Sequence, residues 1–223
     1  MPENPLHSIE PPQKPQVFWK PQKYRLNKQK TEIQTIEITL SNERLNSLGQ
    51  KTAQDFIQCL DEIETELRKN SKISLAVFRP RVQAAKKSNP KTKAWIAVGD
   101  LKELFHFGQK QAKLYAESWT QIGKRLDNLA VPLLVVCDGA AIGGGAELFL
   151  RGDFHWMTSQ SKLIFKQLEI GLPLGYGSTS KLIAKVGEQK AKNLIFLSKK
   201  VNAQEALELG LADKVLANNS DFD

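Results

Sequence analysis

Cys137-Asp138-Gly139-Ala140-Ala141-Ile142-Gly143-Gly144-Gly145-Ala146-Glu147-Leu148 is the stretch on which the rest of the chain is organised. An apolar run, Leu133 to Val136, precedes it and reads as a buried strand. Ala146 to Leu150 reads as the first turn of a helix. Consecutive glycines between a strand and a helix permit positive φ and a close approach of backbone to a ligand. They also leave unpaired N–H groups where negative charge is favoured. Glu147 follows inside that first turn, so donors for an oxyanion stand beside a candidate acid or base. On local pattern alone the same residues also read as a plain glycine-rich turn with a helix-favouring Glu.

Working outward, the 223-residue chain has room for one large core, with 41% hydrophobic and 25% charged residues. No apolar run approaches the ~20 residues of a membrane helix, and the N-terminus shows no apolar signal segment. Cys59 and Cys137 sit among apolar residues and read as buried free thiols, which suits a reducing cytoplasm. With His7, His106 and His155 they give no metal-ligand spacing. The net charge of +8 is partly concentrated in two acid-free runs, Lys14 to Lys30 and Arg79 to Lys93. Such runs attract polyanions, although most are solvated loops, and no nucleic-acid module is visible.

Residues 1–22 carry six prolines and read as an extended arm, with Phe18 and Trp19 free to dock on the body or on a neighbour. Residues 23–28 and 33–40 are predicted strands. Ile36, Ile38 and Leu40 alternate with Thr35, Glu37 and Thr39 in the period of a half-buried strand. Ala53, Phe56, Ile57, Leu60, Ile63 and Leu67 mark a helix, and residues 110–128 a second one with Leu114, Ile122, Leu126 and Leu129 inward. Trp95 to Leu104 runs from a strand through a Gly-Asp turn into a helix, and Gly171 to Ser178 is a flexible turn capped by Ser178 or Thr179. Strand and helix alternate throughout, which argues an α/β architecture with parallel crossovers in one domain, 23–217, followed by a short polar tail, 218–223.

Five of these segments, in order, resemble the crotonase family, the enoyl-CoA hydratase/isomerase superfamily. They are Ile38 to Leu48, Trp95 to Leu104, Val136 to Leu148, Gly171 to Leu182 and Asn202 to Val215. The resemblance implies a crotonase fold of repeated ββα units around a pair of sheets, lacking most of the family's C-terminal helical region. It implies a coenzyme A thioester as substrate, with no permanently bound cofactor, and a trimer or hexamer. It also implies oxyanion donors at the amides of Gly99 and Gly144, and Glu147 as acid or base. The family's second glutamate falls on Gln167, a positioning group, when the alignment runs ungapped into Gly171-Leu172; Glu169 lies two residues on. Arg44, Leu45, Ala97 and Asp100 are the expected substrate and coenzyme A contacts, and His106 and Tyr176 are candidates for the same cleft. Water addition needs one group to take a proton and another to deliver one, so efficient hydration is not expected from one carboxylate and an amide. Decarboxylation, thioester hydrolysis and carbon–carbon bond formation remain open to such a site. A catalytically weak subunit that binds a partner enzyme or an acyl carrier is the alternative, and nucleic-acid binding through the basic runs ranks last.

Overall fold

A computed structural model of the chain describes residues 15–26, 31–42, 45–81, 83–84, 93–97, 99–218 and 221–222. Among the described residues eleven strands form two sheets, one ordered β1-β2-β3-β6-β8-β11 and the other β10-β9-β7-β5-β4. In the first, β1 (Val17–Leu26) pairs antiparallel with β2 (Thr31–Leu40); β3 (Ile73–Phe78), β6 (Leu133–Cys137), β8 (Phe154–Thr158) and β11 (Lys214–Leu216) continue it in parallel. In the second, β5 (Lys93–Ile96), β7 (Ala140–Ile142) and β9 (Lys162–Ile164) are parallel, flanked antiparallel by β4 (Gln83–Ala84) and β10 (Lys200–Asn202). Each strand β3, β6 and β8 of the first sheet is thus followed by a strand of the second, which is the repeated ββ step expected from the sequence. Helices α1 (Gln50–Lys69), α2 (Leu101–Leu104), α3 (Gln109–Asp127), α4 (Gly144–Phe149), α5 (Thr179–Val186), α6 (Glu188–Phe196) and α7 (Ala203–Glu208) complete the described fold. No described helix is long and apolar enough to cross a membrane.

The core follows the periodicities, with informative departures. Residues 17–22, expected as the end of a free arm, are the first half of β1. Pro21 is tolerated there because β1 is an edge strand, where a missing N–H breaks no ladder bond. Trp19 docks on the body, donating from Nε1 to Glu62 at 3.1 Å, and Arg81 lies over the Phe18 ring. The β2 strand is buried on both faces: Thr35, Glu37 and Thr39 are as covered as their apolar neighbours. Tyr24, on β1, donates to the Glu37 carboxylate at 2.8 Å, so a polar alternation is covered by a polar partner. A small outer cluster of Val77, Leu134 and Val136 is closed by Phe222, edge-on to Tyr24 and Trp156; the 218–223 segment is therefore packed at its described end. On α3 the buried face is Tyr115, Trp119, Ile122 and Leu126, while Leu114 is 49% exposed. The aromatic residues set the face, one position away from the leucine.

His155, on β8, is fully buried, its Nδ1 3.4 Å from Lys185 Nζ and 3.5 Å from Asp213 Oδ2, and its Nε2 has no partner among the described residues. Burial, reinforced by the Lys185 charge, pushes the imidazole down from its ordinary value, against the opposing pull of Asp213. An unfolded chain with an ordinary imidazole value near 6.5 therefore takes up the proton first as pH falls, and native stability falls with it. Between pH 7 and pH 5 this one group should cost roughly 1–2 kcal/mol. Urea unfolding at both values should show that slope in the native sequence and a shallower one in His155→Gln.

Candidate active site

The site is built where the quoted stretch leaves β7. Gly143, with φ 57°, caps α4 in a conformation that disfavours any side chain, and its N–H donates to Ile164 C=O at 2.8 Å. Gly144 is required by contact: a Cβ there would stand 2.5 Å from Tyr176 Cε2 and 2.9 Å from Leu48 Cδ1. Opposite, the chain leaves β2 through Leu45 and Asn46, both at positive φ. Asn46 is buried and donates from Nδ2 to Arg81 C=O at 2.6 Å and to Trp95 C=O at 2.8 Å, tying this loop to the exits of β3 and β5. Asp100 N–H donates to Leu48 C=O at 3.1 Å, which presents Gly99 beside the glycine turn.

Gly99 and Gly144 line one cavity of about 260 Å³ with Glu147, Gln167 and Tyr176. Among the described residues neither glycine amide has a protein acceptor. Glu147 is 1% exposed and accepts four hydrogen bonds. Its Oε1 takes Gln167 Nε2 at 2.8 Å and Gly175 N–H at 3.1 Å; its Oε2 takes Tyr176 N–H at 2.9 Å and Ser178 Oγ at 2.6 Å. That fills the roughly four lone-pair sites of a carboxylate. Ser178 occupies the N-cap position of α5 and does not cap it, because its hydroxyl is spent on Glu147. Gln167 keeps one buried amide oxygen without a partner among the described residues.

Behind this turn lie residues that the sequence reading passed over. Arg151, 4% exposed and four positions beyond Glu147, donates from Nη2 to Tyr176 C=O and from Nη1 to Asp127 at 2.7 Å. Its guanidinium rests on Gly123, where a Cβ would meet Cζ at 2.8 Å. The Tyr176 ring stacks on Trp119 with centroids 5.3 Å apart, and its hydroxyl lies 2.7 Å from that of Tyr115. A lone Arg ending the apolar run Ala146-Glu147-Leu148-Phe149-Leu150 was the available signal for Arg151. Tyr115 carried none beyond its place on the helix face.

Of the other expected contacts, Glu169 is exposed and ion-paired with Lys166 at 2.9 Å, which holds its carboxyl below the usual range. Gln167, not Glu169, therefore faces Glu147. His106 is exposed, its ring on Lys102 C=O at 2.6 Å, and does not line the cavity; the short α2 turns it outward. Leu45 C=O accepts from Ala97 N–H at 3.1 Å, and Asp100 caps α2, accepting from Glu103 N–H at 3.3 Å. These three shape the loop beside the cavity without lining it. Arg44 and residues 85–92 of the basic loop lie outside the described residues. Among the described residues no group of His, Cys, Asp and Glu is placed to hold a metal ion.

Residues 30–222 match the family model described as enoyl-CoA hydratase/isomerase. The chain belongs to that family. An enoyl-CoA isomerase/hydratase of Mycosarcoma maydis is 29% identical over 174 residues, covering 78% of this chain and 61% of that protein. A higher identity over a shorter stretch, 38% over 97 residues, relates it to the ethylmalonyl-CoA decarboxylase of Xenopus tropicalis, covering 44% of this chain and 32% of that protein. The chain spans about three fifths of the length of the first curated relatives it matches. Among solved structures, DspI of Pseudomonas aeruginosa superposes with a TM-score of 0.76 at 20% identity, covering 96% of this chain and 78% of that one. The enoyl-CoA hydratase of Thermoplasma volcanium gives 0.73 at 24%, covering 91% and 73%. Both likenesses show the crotonase fold. Within it, this family member spends Ser178 on a buried carboxylate. Ser178→Ala should therefore destabilise the chain by about 1.5–3 kcal/mol, the range for a lost bond to a charged group. Thr179→Ala should cost under ~0.5 kcal/mol as an ordinary surface change, and denaturant midpoints of the two variants check the difference.

Proposed function

We propose that this chain is an enzyme acting on a coenzyme A thioester, with the carbonyl oxygen of the thioester held by the amides of Gly99 and Gly144. One observation carries the reading: two amides without acceptors among the described residues and one buried carboxylate line the same small cavity. Charge that develops on a thioester oxygen as an enolate forms is stabilised by prepositioned donors, each worth on the order of 3–4 kcal/mol in acyl-transfer sites. Glu147 is the base that takes the proton beside the carbonyl. Three of its four donors are amide N–H groups, two of them on backbone; the fourth, the Ser178 hydroxyl, is a rotor. Turning that hydroxyl away frees one lone pair without moving the backbone. Gln167 holds Glu147 and offers its spare amide oxygen to water or to a polar substrate group. Coenzyme A enters as part of the substrate, and a homotrimer or homohexamer is the assembly that accompanies this reading.

A second reading is favoured by the four bonds on Glu147 and by the absence of another carboxylate from the described cavity lining. Loss of CO2 from a malonyl-type thioester yields the same enolate with no proton to remove, so a well-paired Glu147 is no obstacle. The Xenopus relative named for ethylmalonyl-CoA decarboxylation is in keeping with it.

The purified chain should bind butyryl-CoA by calorimetry and exchange its α-hydrogen in D2O. Folded Glu147→Gln should lose that exchange by about 10²–10⁴-fold, as for a lost acid/base. If ethylmalonyl-CoA is decarboxylated while butyryl-CoA is bound without α-exchange, the second reading holds. Thioester binding with neither reaction would leave a non-catalytic binding subunit, and no binding would end both readings.

A further inference from the structure

An enolate must be quenched by a proton. Glu147 can return one only where it has first taken it; after loss of CO2 it has taken none, its oxygens are filled with donors, and Gln167 is an amide. The remaining titratable groups on the described cavity lining are Lys166, which is paired outward with Glu169, and two tyrosines, Tyr115 and Tyr176.

The tyrosines form a directed pair. Tyr115 donates to Leu48 C=O at 2.6 Å, so its oxygen accepts from Tyr176 at 2.7 Å. Leu48 C=O also accepts from Asp100 N–H at 3.1 Å. Tyr115 can therefore turn its hydroxyl from Leu48 to the Tyr176 oxygen, and the carbonyl keeps a partner. The turn rotates two hydroxyls, shifts no other heavy atom, and leaves the Tyr176 proton pointing away from Tyr115. Where it can point is set by the glycines. The Tyr176 ring lies on Gly144, and its oxygen is 3.7 Å from the place a Gly99 Cβ would take. The hydroxyl thus stands on the cavity lining between the two residues whose amides are proposed to hold the oxyanion, where an enolate held by them would be within its reach. Four contacts fix the side chain there: the Trp119 stack, the Tyr115 bond, the peptide N–H on Glu147 and the peptide C=O on Arg151.

We infer that Tyr176 is the acid that protonates the enolate, with Tyr115 as the positioning residue that turns to receive the charge left on it. The inference rests on the thioester reading and supplies the second proton-transfer group that Gln167 cannot be. In the step, the electron pair of the enolate carbon–carbon double bond takes the Tyr176 hydroxyl proton. A C–H bond forms at the α-carbon, the O–H bond breaks, and the thioester carbonyl is restored. The negative charge passes to the Tyr176 oxygen, which accepts from Tyr115, and water returns the proton when product leaves. A thioester enolate is a far stronger base than a phenolate, so the transfer runs downhill. Burial raises both hydroxyls well above the ordinary tyrosine value, with the neighbouring tyrosine adding to the rise at Tyr176. Each is therefore fully protonated at neutral pH, as a loaded acid must be.

Tyr176→Phe and Tyr115→Phe keep the rings and their packing. In D2O, conversion of ethylmalonyl-CoA to α-deuterated butyryl-CoA and α-exchange of butyryl-CoA both end in capture of an enolate. Mass spectrometry reads the two rates, and calorimetry reads butyryl-CoA binding. Tyr176→Phe should slow decarboxylation by at least ~10²-fold, with butyryl-CoA affinity held within about threefold. A native chain that exchanges butyryl-CoA without decarboxylating ethylmalonyl-CoA would overturn the inference. Tyr115→Phe should lower kcat about tenfold with KM unchanged. Glu147→Gln should abolish exchange. Tyr176→Phe reacting as fast as the native chain would overturn the inference while leaving the thioester reading intact. A native chain that binds butyryl-CoA and performs neither reaction would overturn it as well. Absence of thioester binding would overturn the reading on which it rests.

Discussion

A carboxylate with nothing but donors around it holds this active site together. Glu147 lies in the first turn of α4, out of water, and its two oxygens draw in Gln167, the amides of Gly175 and Tyr176, and the Ser178 hydroxyl. A buried charge is tolerated only when its hydrogen-bonding capacity is met. Here the need is met by folding the 175–178 turn onto it. The same turn is gripped from its other side by Arg151, one helical turn further along the chain, through the Tyr176 carbonyl. Two residues four apart in sequence thus fix both edges of a peptide segment some thirty residues away.

The glycines make this arrangement sterically available. Gly143 supplies the backbone conformation that starts α4, and Gly144 lets the Tyr176 ring lie flat against the chain. Gly123, on α3, opens the space that the Arg151 guanidinium fills. Asn46 does comparable work on the facing loop, where positive φ and three strand ends meet at one amide. A site whose supports are this fully paired is rigid at the carboxylate and adjustable only at hydroxyl rotors. Ser178, Tyr115 and Tyr176 provide those rotors, and they are where protons can move at small structural cost.

Membership of the enoyl-CoA hydratase/isomerase family accounts for the two-sheet scaffold. It does not decide which reaction the cavity performs. That depends on a few side chains: a glutamine in place of a second carboxylate, and an aromatic pair at the deep end of the cavity. On the proposed reading, both features disfavour simple addition of water and suit chemistry that generates or quenches an enolate.

The periodicities of β2 and α1 and the strand-turn-helix around Gly143-Gly144-Gly145 were legible from residues 23–217 alone, because each is a local pattern imposed by backbone geometry. The order of five motifs was legible through its resemblance to the crotonase family. The choice of Gln167 over Glu169 came from the same resemblance, with the family's pattern run ungapped into Gly171-Leu172. Local pattern misled where a distant partner overrode it. Prolines masked the first half of β1, because an edge position cancels their penalty. Leu114 yielded the inner face of α3 to Tyr115 and Trp119, and Ser178 abandoned a cap for a carboxylate. The tyrosine pair and the Arg151 clamp join residues 61 and 25 positions apart, distances at which no spacing rule operates. The stretch from Cys137 to Leu148 therefore determined by itself that a strand, a glycine turn and a carboxylate would stand together. What that carboxylate is bonded to, and which hydroxyls remain free to move a proton, was decided only by tertiary packing, since buried polar groups take whatever partners the fold brings within reach.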